Sequence, residues 1–408
     1  MKWLQTTAAF WRPGVVVTLI LLLLSGAAQA QTNLAAPSLG ASPGTNQIPS
    51  AITNPPPSKL FDPADGWLDV SSFLDTAYGF VPLFMPITEP AVGYGGGGGL
   101  IFIDRREPKP GGGYQKPNIA AVGGMATENG SWAVLAGHSG TWQDGQVETL
   151  VGLMGGSINL DFYGVGDGGL GSNPMSYNIK PVGGLVEGRY RLGKTPVRVG
   201  LGYLFGQAEV SFDSGLLPPG VTAPELDSFL AGLMPKVIYD SRNNLFTPSK
   251  GIYAEAGGGV FNEVVGSDFN YETANLMLMY YRPLASQLTL GLKTEAYFSF
   301  DDAPFYTRPY VHLRGAAVRR YVGEHAADAE LELRWQCWER FSLVGFGGAG
   351  VAWNDFERFE SERNVVTGGV GFRYEIARKH GLHMGLDVAF GPDDPAIYIQ
   401  FGSAWFRP

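Results

Sequence analysis

Residues 365–375 read Val365-Val366-Thr367-Gly368-Gly369-Val370-Gly371-Phe372-Arg373-Tyr374-Glu375. The even positions Val366, Val370, Phe372 and Tyr374 are apolar. The odd positions Thr367, Arg373 and Glu375 are polar, with glycines between them. Side chains in a strand point alternately to opposite faces, so this stretch is a strand with two unlike sides. The pattern returns at Leu382–Phe390, where Leu382, Met384, Leu386, Val388 and Phe390 oppose His383, Gly385, Asp387 and Ala389. It returns again at Ile397–Trp405, with Ile397, Ile399, Phe401 and Trp405 on one side. Strands of about ten residues with one lipid-compatible face are the signature of a transmembrane β-barrel.

Working back from that end, the alternation predicts about sixteen strands, an even number as expected of bacterial barrels. They fall near 82–94, 98–104, 117–127, 131–141, 146–161, 177–192, 195–211 and 228–240. The second half runs 251–262, 269–282, 287–299, 328–337, 341–353, 365–377, 382–391 and 396–406. Lys293 and Glu295 oppose an apolar face, and so do Glu330, Glu332, Arg334 and Gln336. A charge facing hydrocarbon is costly near the bilayer centre, so these side chains are expected to face a lumen. Between the strands near 287–299 and 328–337 lies a long segment, Asp301 to Ala327, rich in Tyr, Pro and Arg. It is far longer than a hairpin turn and too aromatic for a solvated tail, so it is expected to pack on the lumen wall.

The composition agrees. The chain of 408 residues has 58 Gly, 18 Tyr, 24 Phe and 9 Trp, and only 16% of it is charged. Glycine is unfavourable inside helices, whereas aromatics favour strands and membrane interfaces. Lys2 and Arg12, the apolar run Val15–Leu24 and Ala28-Gln29-Ala30 read as a cleaved signal peptide over 1–30. The run is too short to span a bilayer. Residues 31–60, with Pro55-Pro56-Pro57, read as a disordered periplasmic linker, and 61–408 as one domain. The net charge of −9 argues against a nucleic-acid partner. Cys337 is the only cysteine, so no internal disulfide can form.

Motifs that suggest chemistry fail on inspection. Gly95–Gly99 lacks the Lys-Ser/Thr ending of a phosphate loop and reads as a turn or kink between the first two strands. Gly137-His138-Ser139-Gly140 is followed by Thr141, so the hydrolase elbow is incomplete. His380 and His383 do not share a helix face, and no metal site is expected there. No catalytic set, cofactor site or metal site is assigned, and the chain is expected not to be an enzyme.

Two segments resemble a known family. Asp240-Ser241-Arg242 through Pro248-Ser249-Lys250-Gly251 is similar to the Asp-x-Arg…Pro-x-x-Gly turn of the bacterial surface antigen barrels, the superfamily of the BamA/TamA assembly factors. Leu313-Arg314-Gly315-Ala316 resembles the Val-Arg-Gly-aromatic motif that this family carries on the long loop after strand eleven. The likeness is concentrated in 235–408. The chain departs from the pattern at Ala316, at its ending Trp405-Phe406-Arg407-Pro408, and in the 31–60 stretch, which has no room for a POTRA domain.

The resemblance implies an all-β, antiparallel outer-membrane barrel of about sixteen strands. The implied task is assembly, insertion or translocation of unfolded outer-membrane or secreted clients, and the alternative is a passive solute channel. The partners are then outer-membrane lipid and polypeptide, and the location is the outer membrane of a Gram-negative-type envelope. Arg314 and Gly315 form the expected loop lock. Glu330, Glu332, Glu375 and Asp387 are the lumen carboxylates that Arg314 is expected to meet, since Arg holds a carboxylate by two hydrogen bonds.

Overall fold

The computed structural model describes residues 60–72, 80–89, 91–104, 118–164, 174–218, 220–301, 303–354, 364–392 and 395–405. The expected signal peptide and nearly all of the expected linker lie outside these residues. Sixteen strands follow one another. The first eight are β1 (Phe80–Glu89), β2 (Gly93–Asp104), β3 (Asn118–Thr127), β4 (Trp132–Trp142), β5 (Val147–Phe162), β6 (Met175–Arg191), β7 (Val197–Phe212) and β8 (Asp227–Asp240). The rest are β9 (Gly251–Phe261), β10 (Tyr271–Ala285), β11 (Leu288–Asp301), β12 (His325–Trp338), β13 (Phe341–Trp353), β14 (Asn364–Ala377), β15 (Leu382–Phe390) and β16 (Ala396–Phe401). Each pairs antiparallel with the next, in one sheet of order β1 through β16. The sheet curls until β1 and β16 lie side by side.

The opening stretch shows how sequence sets the faces. In β14, Val365, Thr367 and Arg373 are 2–5% exposed, whereas Val366, Val370 and Phe372 are 42–72% exposed. Leu386 of β15 pairs with Phe372 on one side and Ile399 on the other, a row of apolar side chains on the outer face. Asp387, one residue on, lies between Gly371 and Tyr398 on the inner face. The outer face is thus apolar, as a bilayer requires.

The barrel has two unlike ends. At the end where β1 begins and β16 finishes, most turns are short, such as 286–287 and 339–340. At the far end the connections are longer, up to residues 302–324 between β11 and β12. Short periplasmic turns and long outer loops are usual for outer-membrane barrels.

The lumen also has two unlike halves. The inner faces of β2 to β8 are mostly apolar: Ile101, Ile119, Leu135, Met154, Ile158, Ile179, Leu204 and Leu230 are all buried, with an ionic group among them in which buried Glu187 pairs with Arg189 and, at 2.7 Å, with Lys236. Phe305 and Tyr306 of the long loop join this cluster. The inner faces of β11 to β15 carry Lys293, Glu295, Asp328, Glu330, Glu332, Arg373 and Asp387, all buried.

Two expectations about the strands are corrected. Gly95–Gly99 is not a turn but lies within β2, paired with both β1 and β3. A Cβ at Gly95 would stand 2.2 Å from the Ala126 carbonyl oxygen, so the strand needs glycine there. The last strand does not run to 406. It stops at Phe401, because Gly402 takes φ +78° and turns the chain.

Candidate functional site

The long loop enters the barrel. Phe305 meets the rings of Phe162, Tyr177 and Phe212 at centroid distances of 5.1–5.9 Å. Tyr306 and Ser228 share a hydroxyl hydrogen bond of 2.8 Å. The Arg319 guanidinium donates to the carbonyls of Phe305 and Tyr306 and so ties the loop to itself. Tyr310 and Val322 form a short antiparallel bridge that fixes its two limbs.

Arg314 lies at the inner end of this loop, 7% exposed. Its guanidinium is 2.7 Å from Glu330, 2.9 Å from Glu332 and 2.7 Å from Asp387. It also stacks over Phe346 at 3.6 Å, a favourable cation–π geometry. Three of the four expected carboxylates therefore surround it. Glu375 does not. Parity gives it a lumen-side position, but it lies four residues along β14 from Gly371, the partner of Asp387. That is roughly 13 Å of strand. It pairs instead with Arg378 at 3.3 Å, near the rim.

Gly315 has φ +87°, and a Cβ there would stand 3.1 Å from the Phe390 carbonyl oxygen. Its N–H donates to the Tyr398 hydroxyl at 3.1 Å, linking the loop to β16.

The family-like turn closes the opposite end. Asp240 holds Arg242 at 2.8 Å, and Arg242 lies 4.7 Å from the Tyr253 ring centre. The Pro248 carbonyl accepts from Arg334 at 2.9 Å. Gly251 has φ +111°, and a Cβ there would stand 2.3 Å from the Ser241 carbonyl oxygen.

This turn receives the end of the chain. Ser403 N–H donates to the Phe246 carbonyl at 2.6 Å, and the Ser403 and Tyr281 hydroxyls lie 3.2 Å apart. Trp405, expected on the outer face, is 6% exposed inside the barrel. Its indole N–H donates to Glu330. Strand parity could not reveal this, because the break at Gly402 ends the alternation. Glu330 thus holds both the loop from the far end and the tail from the near end.

Beside this cluster lies a second ionic group. Lys293 is 3.0 Å from Glu295, 3.0 Å from Asp328 and 2.8 Å from the His312 carbonyl. Glu295, His312 and Asp328 have the donor chemistry to hold a metal ion. The Lys293 ammonium already supplies the cation between the two carboxylates. A lumen cavity of about 190 Å³ lies against the loop here, lined by Lys236, Glu255, Asn275, Arg308 and aromatic rings.

The seam between β1 and β16 is the other feature of note. Every other neighbouring pair is hydrogen-bonded, but no ladder joins β1 to β16 among the described residues. β16 has 6 residues where β1 has 10. β1 also contains Pro82 and Pro86. They share one edge by the period of two. Proline cannot donate, and β1 forms a ladder with β2 through both positions. Their missing donors therefore belong to the edge that faces β16.

No family model and no curated relative matches the sequence. Solved structures do match the fold. BamA from Haemophilus ducreyi lacking POTRA domains 1–3 is 14% identical with a TM-score of 0.55, over 80% of this chain and 70% of that one. CdiB from Escherichia coli is 11% identical with a TM-score of 0.57, over 79% of this chain and 62% of that one. CdiB from Acinetobacter baumannii is 9% identical with a TM-score of 0.53, over 79% of this chain and 59% of that one. The chain thus spans about three fifths of each CdiB chain. It has the barrel fold of Gram-negative outer-membrane proteins, in the form that BamA and CdiB share.

Proposed function

We propose that this chain is an outer-membrane barrel that assists the insertion or translocation of polypeptide clients, with the β1–β16 seam as its working part. The observation that carries the reading is the seam without a ladder. A free strand edge pairs with an incoming strand by backbone hydrogen bonds. Pro82 and Pro86 remove two donors from that edge, which hinders a closing ladder with β16. The shortened β16 keeps the edge from being covered along its full length. The sequence resemblance to assembly barrels points the same way, as does the likeness in fold to BamA. The role involves no bond chemistry and no cofactor.

The test is a client-insertion assay in vesicles. A cysteine pair across the seam, placed on Phe84 and Ile397 or Ile399 in a Cys337→Ser background, is compared oxidised and reduced. Faster client insertion by the reduced form supports the seam. Equal rates with the seam locked and open would remove it from the mechanism.

The rival reading is a passive conduit. The long loop packed inside the barrel weighs against a wide pore. Planar-bilayer recording separates the two, since a conduit gives steady conductance with the seam locked.

A further inference from the structure

Residues 60–72, just before the barrel, form a compact hairpin at its near rim. Phe61 and Leu68 make an antiparallel bridge. The Asp69 N–H donates to the Leu60 carbonyl and the Val70 N–H to the Ile376 carbonyl, each at 2.8 Å. The hairpin is clamped by Arg340 in the β12–β13 turn. That guanidinium lies 2.7 Å from Asp62, 2.7 Å from Asp65 and 2.6 Å from Asp69.

The side of the wall on which this hairpin sits follows from pairing. Tyr374 shares its parity with the exposed Phe372, so it belongs to the outer face of β14. Phe341 pairs with Tyr374, and Trp338 pairs with Phe341. Trp67 meets Trp338 at 5.5 Å and Phe341 at 5.6 Å, edge to face. The Tyr374 hydroxyl donates to the Leu68 carbonyl at 2.6 Å. The hairpin therefore rests on the outer face of the barrel at its rim, not beneath the mouth of the lumen. Around it Leu60, Phe61, Leu68, Trp335 and Trp338 are 41–58% exposed.

We propose that this hairpin is an interfacial anchor, which seats Leu60, Phe61 and Leu68 in the headgroup–acyl boundary of the near-end leaflet. The occupant is a lipid surface, because the patch is continuous with the apolar outer wall. Tryptophan and tyrosine at that level mark the membrane interface. The charges agree with this placement. The three aspartates would oppose an anionic leaflet, yet all turn onto the buried Arg340. Arg378, with its side chain 41% exposed, adds a bridge of 2.9 Å to Asp65. The inference rests only on the barrel crossing a membrane, not on the seam or on any client.

The experiment is spin-label accessibility in phosphatidylethanolamine–phosphatidylglycerol vesicles. Single nitroxides are attached at Phe61→Cys or Leu68→Cys in the Cys337→Ser background, with exposed Ala64→Cys as the aqueous control. Labels at 61 and 68 are expected to collide with oxygen several-fold more than with a nickel chelate, and the label at 64 the reverse. Arg340→Gln, which releases the clamp, should make all three alike. Asp65→Asn is the milder second variant, and unheated gel mobility reports that each barrel is folded. Folded, inserted barrels whose labels at 61 and 68 see the chelate as freely as 64 would overturn the anchor. Failure to insert at all would instead remove the barrel reading on which it stands.

Discussion

Glu330 concentrates several interactions in one side chain. It accepts from the Arg314 side chain at 2.7 Å and also from the Trp405 indole. Arg314→Ala leaves Glu330 and Glu332 buried without their main cation, although Arg373 still holds Asp387 at 2.9 Å. Breaking a buried pair typically costs about 3–5 kcal/mol, and lumen water reduces this. The expected result is a barrel that assembles with a lower urea midpoint and a protease-sensitive loop. Arg314→Lys should recover only part, since an ammonium cannot make the forked contact.

Trp405→Phe keeps the ring and removes the donor. A hydrogen bond to a charged group is worth about 1.5–3 kcal/mol. Combined with Arg314→Ala its effect should fall short of the sum, because both act on one carboxylate. Additive urea midpoints would show that loop and tail are uncoupled.

Strand parity was enough to place Glu330, Glu332 and Asp387 on the lumen side, and the motif pointed to Arg314. Parity gives a face but not a level along the strand, so it groups Glu375 with residues it does not meet. The Lys293 cluster could be read only as inward charge, because its partner His312 comes from an irregular loop.

At the scale of elements, the glycines decide where strands end. Gly402 turns the tail inward with a positive φ, and a Cβ would stand 2.7 Å from the Phe246 carbonyl oxygen. Gly402→Ala should cost about 1–2 kcal/mol from the left-handed backbone alone. It should also free Trp405, seen as a rise in acrylamide quenching. Unchanged quenching would mean that the tail seats itself without the glycine turn. Neither this break nor the continuity of β2 through Gly95–Gly99 was legible, since glycine serves turns and close-packed strands alike. What separates the two is the distance to a neighbouring backbone, which a sequence does not contain.

The rim hairpin titrates as an element. The hydrogen bond from Arg340 holds the Asp65 carboxyl below the usual carboxylate range. Burial pushes Asp69 up, but hydrogen bonds from Ser71 and Arg340 outweigh it and leave its carboxyl lowered as well. A carboxylate whose folded pKa is lowered contributes stability above its unfolded pKa of about 3.9. That contribution is lost as pH falls through the folded value. The hairpin should therefore stay docked at pH 5 and detach only well below pH 4, as read by exchange of the Val70 amide. Detachment between pH 6 and 5 would contradict the assignment. The hairpin itself has no alternation to reveal it, as its order comes from Arg340, some 270 residues away in sequence.

Across the whole molecule, the apolar half and the ionic half of the lumen meet at the loop. Phe305 and Tyr306 pack into one and Arg314 into the other. Removing residues 303–323 and joining the strands by a short turn should leave a barrel that reaches the membrane with larger, steadier conductance. Silence in planar bilayers would mean that the side chains lining β2 to β8 close the lumen by themselves. The whole-molecule architecture was the most legible level, because a period of two repeated over sixteen strands leaves few alternatives. The seam was legible only as a place, since the missing ladder is a relation between the first and last strands.

Trp405 and Glu330 are 75 residues apart in sequence. The contact needs the last few residues of the described chain, and Glu330 also holds a loop that was synthesised far earlier. A chain truncated after Phe401 would contain every described strand and yet lack this fastening. The tail thus works as a check on folding: Glu330 gains its second partner only once the turn at Gly402 has carried Trp405 into the lumen.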